Sequence, residues 1–117
     1  MKLLTDSQFK KLRSNETENR FRHMEGSKLR DYKPVAKLFT PWSGATWLFT
    51  ELQSNGILFG LCYVGIGCPE YGYVSISELE NMRGPWGLKV ERDIHFKAEM
   101  TLSEYYEAAK AEGRIYA

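Results

Sequence analysis

Between Gly72 and Phe96 the residue pattern passes from strand to helix to turn to strand within a short span, which few folds accommodate. Tyr71, Tyr73 and Val74 supply the aromatic and β-branched character of a strand as far as Ser75. A short helix near 75–82 follows: the Ser75 hydroxyl is placed to accept from the Glu78 N–H, the Glu78 carboxylate reaches back, and Val74 is placed to staple onto Leu79. Gly84 is expected to end that helix, and Pro85 prevents its resumption. Leu88, Val90, Arg92, Ile94 and Phe96 then alternate with Lys89, Glu91, Asp93, His95 and Lys97, which predicts a strand over Leu88 to Phe96 with one wet face. This succession constrains architecture strongly and chemistry hardly at all.

The flanking sequence completes the picture. Leu4-Thr5-Asp6-Ser7-Gln8-Phe9 is a helix start with Thr5 as N-cap, Gln8 as its capping-box partner and Leu4 positioned to staple onto Phe9. That helix is expected to reach about Arg13. From Ser14 to Lys33 the signal fades among charges, Asn15, Asn19, Gly26 and Ser27, so 14–33 reads as a mobile or long basic loop, with room for a short irregular element over Arg20 to Arg30. Val35 to Phe39 and Ala45 to Leu52 read as strands, and the Asn55-Gly56 step predicts a hairpin. Ile57 to Gly65 is apolar on both faces, the mark of a central strand. Thr101 with Glu104 is a second capping box, opening a last helix to about Glu112 before Gly113. The expected fold is α+β: a single domain over 1–117, an antiparallel β-meander of about five strands with an N-terminal helix, the short helix and a C-terminal helix.

A length of 117 residues, with 43% hydrophobic and 26% charged residues, suits one globular domain and excludes whole-chain disorder. The longest apolar run, Ile57 to Ile66, is interrupted by glycines and falls short of the roughly 20 residues a membrane helix needs. The Met-Lys-Leu-Leu-Thr opening lacks the apolar stretch of a signal peptide, so the expectation is a cytoplasmic protein with no membrane association. Cys62 reads as a small buried hydrophobe and Cys68 as a turn residue, both free thiols. With only His23 and His95 to help, they make no metal motif, so neither metal nor cofactor is expected.

Several blocks resemble one family. Phe39-Thr40-Pro41, Thr46-Trp47 with Thr50-Glu51, Gly72-Tyr73 with Ser75-Ile76-Ser77-Glu78-Leu79-Glu80, Arg83-Gly84-Pro85, Gly87-Leu88 and Glu91-Arg92-Asp93 are similar to the family known as domain of unknown function 2958. The likeness covers most of the chain outside Ser14 to Lys33 and the last helix. It implies an accessory protein of phages, plasmids and integrative elements, and brings no catalytic residues with it.

Two functional readings follow from different residues. In the first, Arg83, Trp86, Glu91 and Arg92, with Trp42, form a recognition edge for a protein of the host or of the mobile element, since Arg and Trp are favoured interface anchors. A non-enzymatic inhibitor of a host defence system is one form this takes. In the second, the charge division matters: residues 1–39 carry ten Lys and Arg against five Asp and Glu, residues 40–117 six against ten. Lys10, Lys11, Arg13, Arg20, Arg22, Lys28 and Arg30 would then contact phosphates while Trp47, Phe49, Phe59, Tyr63, Tyr71 and Tyr73 stack bases of single-stranded nucleic acid from one sheet face. Glu91, Asp93 and His95 share a strand face at a spacing compatible with a divalent ion, yet that alternation is what any solvated strand shows. With no phosphate loop or nucleophile elbow either, no enzyme is expected.

Overall fold

The computed structural model describes residues 2–117. The first capping box forms as the sequence predicts: the Gln8 N–H donates to Thr5 Oγ1 at 3.0 Å and the Thr5 N–H to Gln8 Oε1 at 3.0 Å. The helix it opens, α1 (Asp6–Met24), runs well past Arg13 and takes in half of the stretch expected to be loop. Its buried stripe is Leu12, Asn15 and Asn19, at helical spacing. Two of those three residues are amides, which is why the stripe does not register as amphipathic. Glu16 with Arg20 and Glu18 with Arg22, each four residues apart, support the outer side.

Strands β1 (Ala36–Phe39), β2 (Thr46–Leu52), β3 (Ile57–Tyr63) and β4 (Glu70–Ser75) form an antiparallel meander. The β2–β3 hairpin turns at Gln53–Gly56, where Gly56 adopts φ 86° and its N–H donates to the Gln53 carbonyl at 3.0 Å. α2 (Ile76–Asn81) follows β4 directly. The expected Ser75–Glu78 box is absent: the Ser75 hydroxyl instead bonds the Ser77 hydroxyl at 2.8 Å, a nearer competitor for it. The helix closes at Met82, where the backbone is extended, before Gly84 is reached.

The nine-residue strand expected over Leu88 to Phe96 is replaced by β5, only Glu91–Arg92. Asp93 ends it. Its carboxylate accepts the His95 N–H at 2.9 Å and its carbonyl the Phe96 N–H at 3.3 Å, so the chain turns away from the sheet. The strand order is β4-β3-β2-β1-β5, so the fifth strand crosses the sheet to pair antiparallel with β1. The meander is thus four strands with a returning fifth; β3 is an interior strand as its two apolar faces predict, with β2 in the middle of the five.

Helices cover both faces. On one, Leu3, Leu4 and Leu12 meet Ala36, Leu38, Trp47, Phe49, Leu58, Leu79 and Val90. On the other, α3 (Leu102–Glu112) lays Leu102, Tyr105 and Ala109 against Leu48 and Leu61. Its capping carboxylate behaves as predicted, Glu104 Oε1 accepting the Thr101 N–H at 2.9 Å, and it ends at Gly113 in the left-handed conformation.

Candidate recognition surface

Three loops converge at the end of the sheet where β1 passes to β2 and β3 to β4. The 40–45 turn is closed by the Thr40 N–H on the Ala45 carbonyl at 3.1 Å. It holds Trp42 half-buried against the core. The 64–69 loop approaches it closely: a Cβ placed on Gly44 would lie 3.8 Å from the Gly65 Cα. The third loop is a small hairpin in which Arg83 pairs with Lys89 and the Gly84 N–H donates to the Leu88 carbonyl at 2.8 Å. Gly84 sits on the face of Trp42, where a Cβ would come within 2.1 Å of the indole. Only glycine permits that approach.

At the hairpin tip Trp86 adopts φ 56° and ψ 26° and is 96% exposed. It is the only non-glycine residue with positive φ among the described residues. A bulky side chain in that region is strained, and strain of this kind concentrates at functional positions. Val64 and Ile66 on the neighbouring loop are 62% and 79% exposed, and Met82 and Leu88 flank the hairpin, both exposed. The loop end therefore carries an apolar rim with one aromatic projecting from it.

The other members of the expected recognition set have local structural work. Arg83 Nη1 donates to the carbonyls of Glu80 and Met82 at 2.7 and 2.9 Å, closing the end of α2. Arg92 Nη1 donates to the carbonyls of Lys2 and Leu3 at 3.0 and 3.1 Å, holding the N-terminal segment against the core. Glu91 stands exposed on β5, opposite Phe39. Residues 3–116 match the family described as protein of unknown function, DUF2958.

The chain belongs to the DUF2958 family. No curated protein and no solved structure matches it. In this DUF2958 protein the basic residues of α1 and the segment after it are largely engaged with carboxylates. Arg13 and Arg20 lie 2.9 and 3.4 Å from Glu16, and Arg22 and Arg30 lie 3.1 and 3.8 Å from Glu18. The Tyr32 hydroxyl also donates to Glu18, the main reason that carboxyl sits below its ordinary value; burial, then Glu18, pushes Tyr32 up to about 12. Lys10, Lys11 and Lys28 form no ion pair among the described residues.

The aromatic residues do not share a face. The register pairs Trp47 with Cys62 and Phe49 with Gly60, so both indole and phenyl lie under α1, whereas Phe59, Tyr71 and Tyr73 lie on the α3 side. Glu91, Asp93 and His95 lose their common face where β5 stops. Asp93 instead pairs with Lys37 at 3.3 Å, and the described residues contain no cluster of three His, Cys, Asp or Glu able to hold a metal. No helix of the described residues is long and apolar enough to cross a membrane.

Asn15 and Asn19 are buried on the inner face of α1, a role their polar side chains do not announce. A β-bulge leaves Thr50 without a partner on β3. The Asn15 amide donates to the Thr50 carbonyl at 2.9 Å, supplying the bond the ladder lacks. Asn19 donates to Glu51 at 3.0 Å and to the Arg30 carbonyl at 3.1 Å, and accepts the Arg30 N–H at 2.8 Å. Burial raises the Glu51 carboxyl above its ordinary value, against the lowering effect of the Asn19 bond. Helical spacing of the two amides with Leu12 was the available signal.

Proposed function

We propose that the protein is a non-enzymatic interaction module whose partner-binding anchor is Trp86. The observation that carries this is a tryptophan at a hairpin tip, 96% exposed and held in a left-handed backbone conformation. Such a conformation costs about 1–2 kcal/mol, and the exposed indole adds nothing to the core. Both costs are recovered when the ring enters a pocket on a partner, the way tryptophan hot spots act. Ile66 and Leu88, which do not line the cleft beside β4, supply exposed apolar surface on the same loops, and Trp42 beneath Gly84 stiffens the hairpin. The partner is a protein of the host or of a mobile element, the setting the family resemblance suggests, and inhibition of a host defence component is the reading adopted.

Affinity capture from host lysate with wild type and Trp86→Gly in parallel, followed by titration of the purified partner, tests this. Loss of the captured protein in the variant, with at least tenfold weaker binding on titration, is expected; capture indifferent to the change would move the anchor elsewhere. The alternative, single-stranded nucleic-acid binding, rests on Lys10, Lys11 and Lys28, since the arginines are paired and the rings are divided between faces. Fluorescence anisotropy with labelled single-stranded oligonucleotides across a salt series separates the two, because phosphate-driven binding weakens steeply with salt.

A further inference from the structure

Strand β4 is an edge of the sheet, bonded to β3 and to no other strand. Its bonding parity is fixed by the Ile76 N–H, which donates to the Gly56 carbonyl at 2.9 Å and makes that pair a hydrogen-bonded one. Alternation along an antiparallel ladder then has Val74, Gly72 and Glu70 exchanging bonds with β3. Tyr71 and Tyr73 therefore direct their N–H and C=O groups outward, where no described segment meets them. Natural edges are blunted by lysine, proline, a bulge or a cover. From Glu70 to Ser75 there is no lysine, proline or bulge, the one charge, Glu70, stands at the end of the strand, and every residue is exposed or half-buried.

The segment Tyr71-Gly72-Tyr73 also reads the same in both directions. We propose that β4 pairs antiparallel with β4 of a second copy about a two-fold axis at Gly72, joining two five-stranded sheets into one. In this register each Tyr71 meets Tyr73 of the other copy in a hydrogen-bonded pair, so the outward groups find partners without rearrangement. Gly72 meets Gly72 at the axis, and Glu70 faces Val74 rather than another carboxylate. The rings are already ordered: Tyr71 stacks on Tyr106 with centroids 4.6 Å apart, and Phe59 lies 5.1 Å from Tyr73. On the other face a cleft of about 370 Å³ beside the same edge, lined by Trp47, Cys62, Val64, Val74 and Met82, provides apolar surface to cover. A stable dimer covers about 800 Å² per partner, more than strand pairing alone supplies, so this cleft is part of the interface. The self-complementary pattern satisfies the requirement of an isologous contact, in which one patch must fit itself.

Sedimentation equilibrium of the full chain is expected to read twice the 13.5 kDa protomer mass as concentration rises. Tyr73→Pro removes one outward N–H while sparing the bonds to β3, a position where an edge strand tolerates proline, and should abolish the dimer. Tyr71→Cys and Tyr73→Cys proteins, each carrying Cys68→Ser, should cross-link when mixed under mild oxidant and not when incubated alone. Hydrogen-bonded partners stand about 5.5 Å apart at Cα, within reach of a disulfide. Cys62 stays out of the exchange because burial pushes its thiol up to about 11. A protein monomeric at all concentrations, a dimer indifferent to Tyr73→Pro, or cross-linking of either cysteine variant by itself overturns the proposal. Circular dichroism verifies that Tyr73→Pro folds; if it does not, the cysteine pair decides alone. Failure here leaves the Trp86 reading untouched, since that surface does not require the pairing.

Discussion

At the scale of single residues, the Trp42–Gly84–Trp86 arrangement makes opposite predictions for its two ends. Gly84→Ala forces a methyl into the Trp42 ring, and overpacking of this kind costs about 1–3 kcal/mol. Denaturant unfolding should show that loss, and Trp42→Ala in the same chain should return part of it as a coupling between neighbours. Trp86→Gly should do the reverse. Relief of a left-handed non-glycine residue, worth about 1–2 kcal/mol, outweighs the added freedom of glycine in the unfolded chain, leaving a gain of about 0.5–1 kcal/mol. Thermal melts check this, and a fall in stability would mean that the indole packs on the protein after all. Raised stability together with lost binding is the signature of a residue kept for recognition.

At the scale of elements, the docking of α1 on β2 turns on the bulge at Thr50. Asn15→Ala strands a buried carbonyl, which should cost about 1–3 kcal/mol in urea unfolding. Shortening α1 is not the expected result, because the Thr5 cap is remote from the change. What could be read in advance follows from which signals were local. The Thr5 box, the Gln53–Gly56 turn, Thr101 with Glu104 and Gly113 depend on a few neighbouring residues and were legible. The continuation of α1 was not, because its inward amides pay off only against a bulge that the sequence does not display. The shortness of β5 was hidden too: Leu88 to Phe96 alternates well, and the Arg83–Lys89 hairpin on one side and the Asp93 side-chain turn on the other override the alternation. The candidate site divides likewise. Trp86 was named from its residue type, while the duties of Arg83 and Arg92 on nearby carbonyls required the fold.

For the whole molecule, residues 29–33 are the tie between the two layers. Asn19 holds Arg30 from the α1 side, the Tyr32 carbonyl accepts the Leu102 N–H at 2.8 Å, and Asp31 accepts the Ser103 N–H at 3.2 Å and its hydroxyl at the start of α3. Burial works to raise the Asp31 carboxyl, but the Ser103 and Thr101 bonds prevail and leave it below its ordinary value of 3.8. A folded carboxyl that resists protonation stabilises the fold above the unfolded value, and that stability is lost as pH falls through the lower folded one. Asp31→Ala should therefore destabilise the fold at neutral pH, by only about 0.5 kcal/mol because so exposed a carboxylate is screened by solvent, with the deficit against wild type closing below pH 3.8. Urea titrations of both proteins over a pH series measure it.

The three tryptophans occupy three depths: Trp47 in the core, Trp42 half-buried and Trp86 in water. Intrinsic emission is accordingly a composite whose red edge belongs to one ring, the one an aqueous quencher such as acrylamide reaches first. A blue shift with loss of quenching would report engagement of that ring directly, so the anchor serves as its own dye.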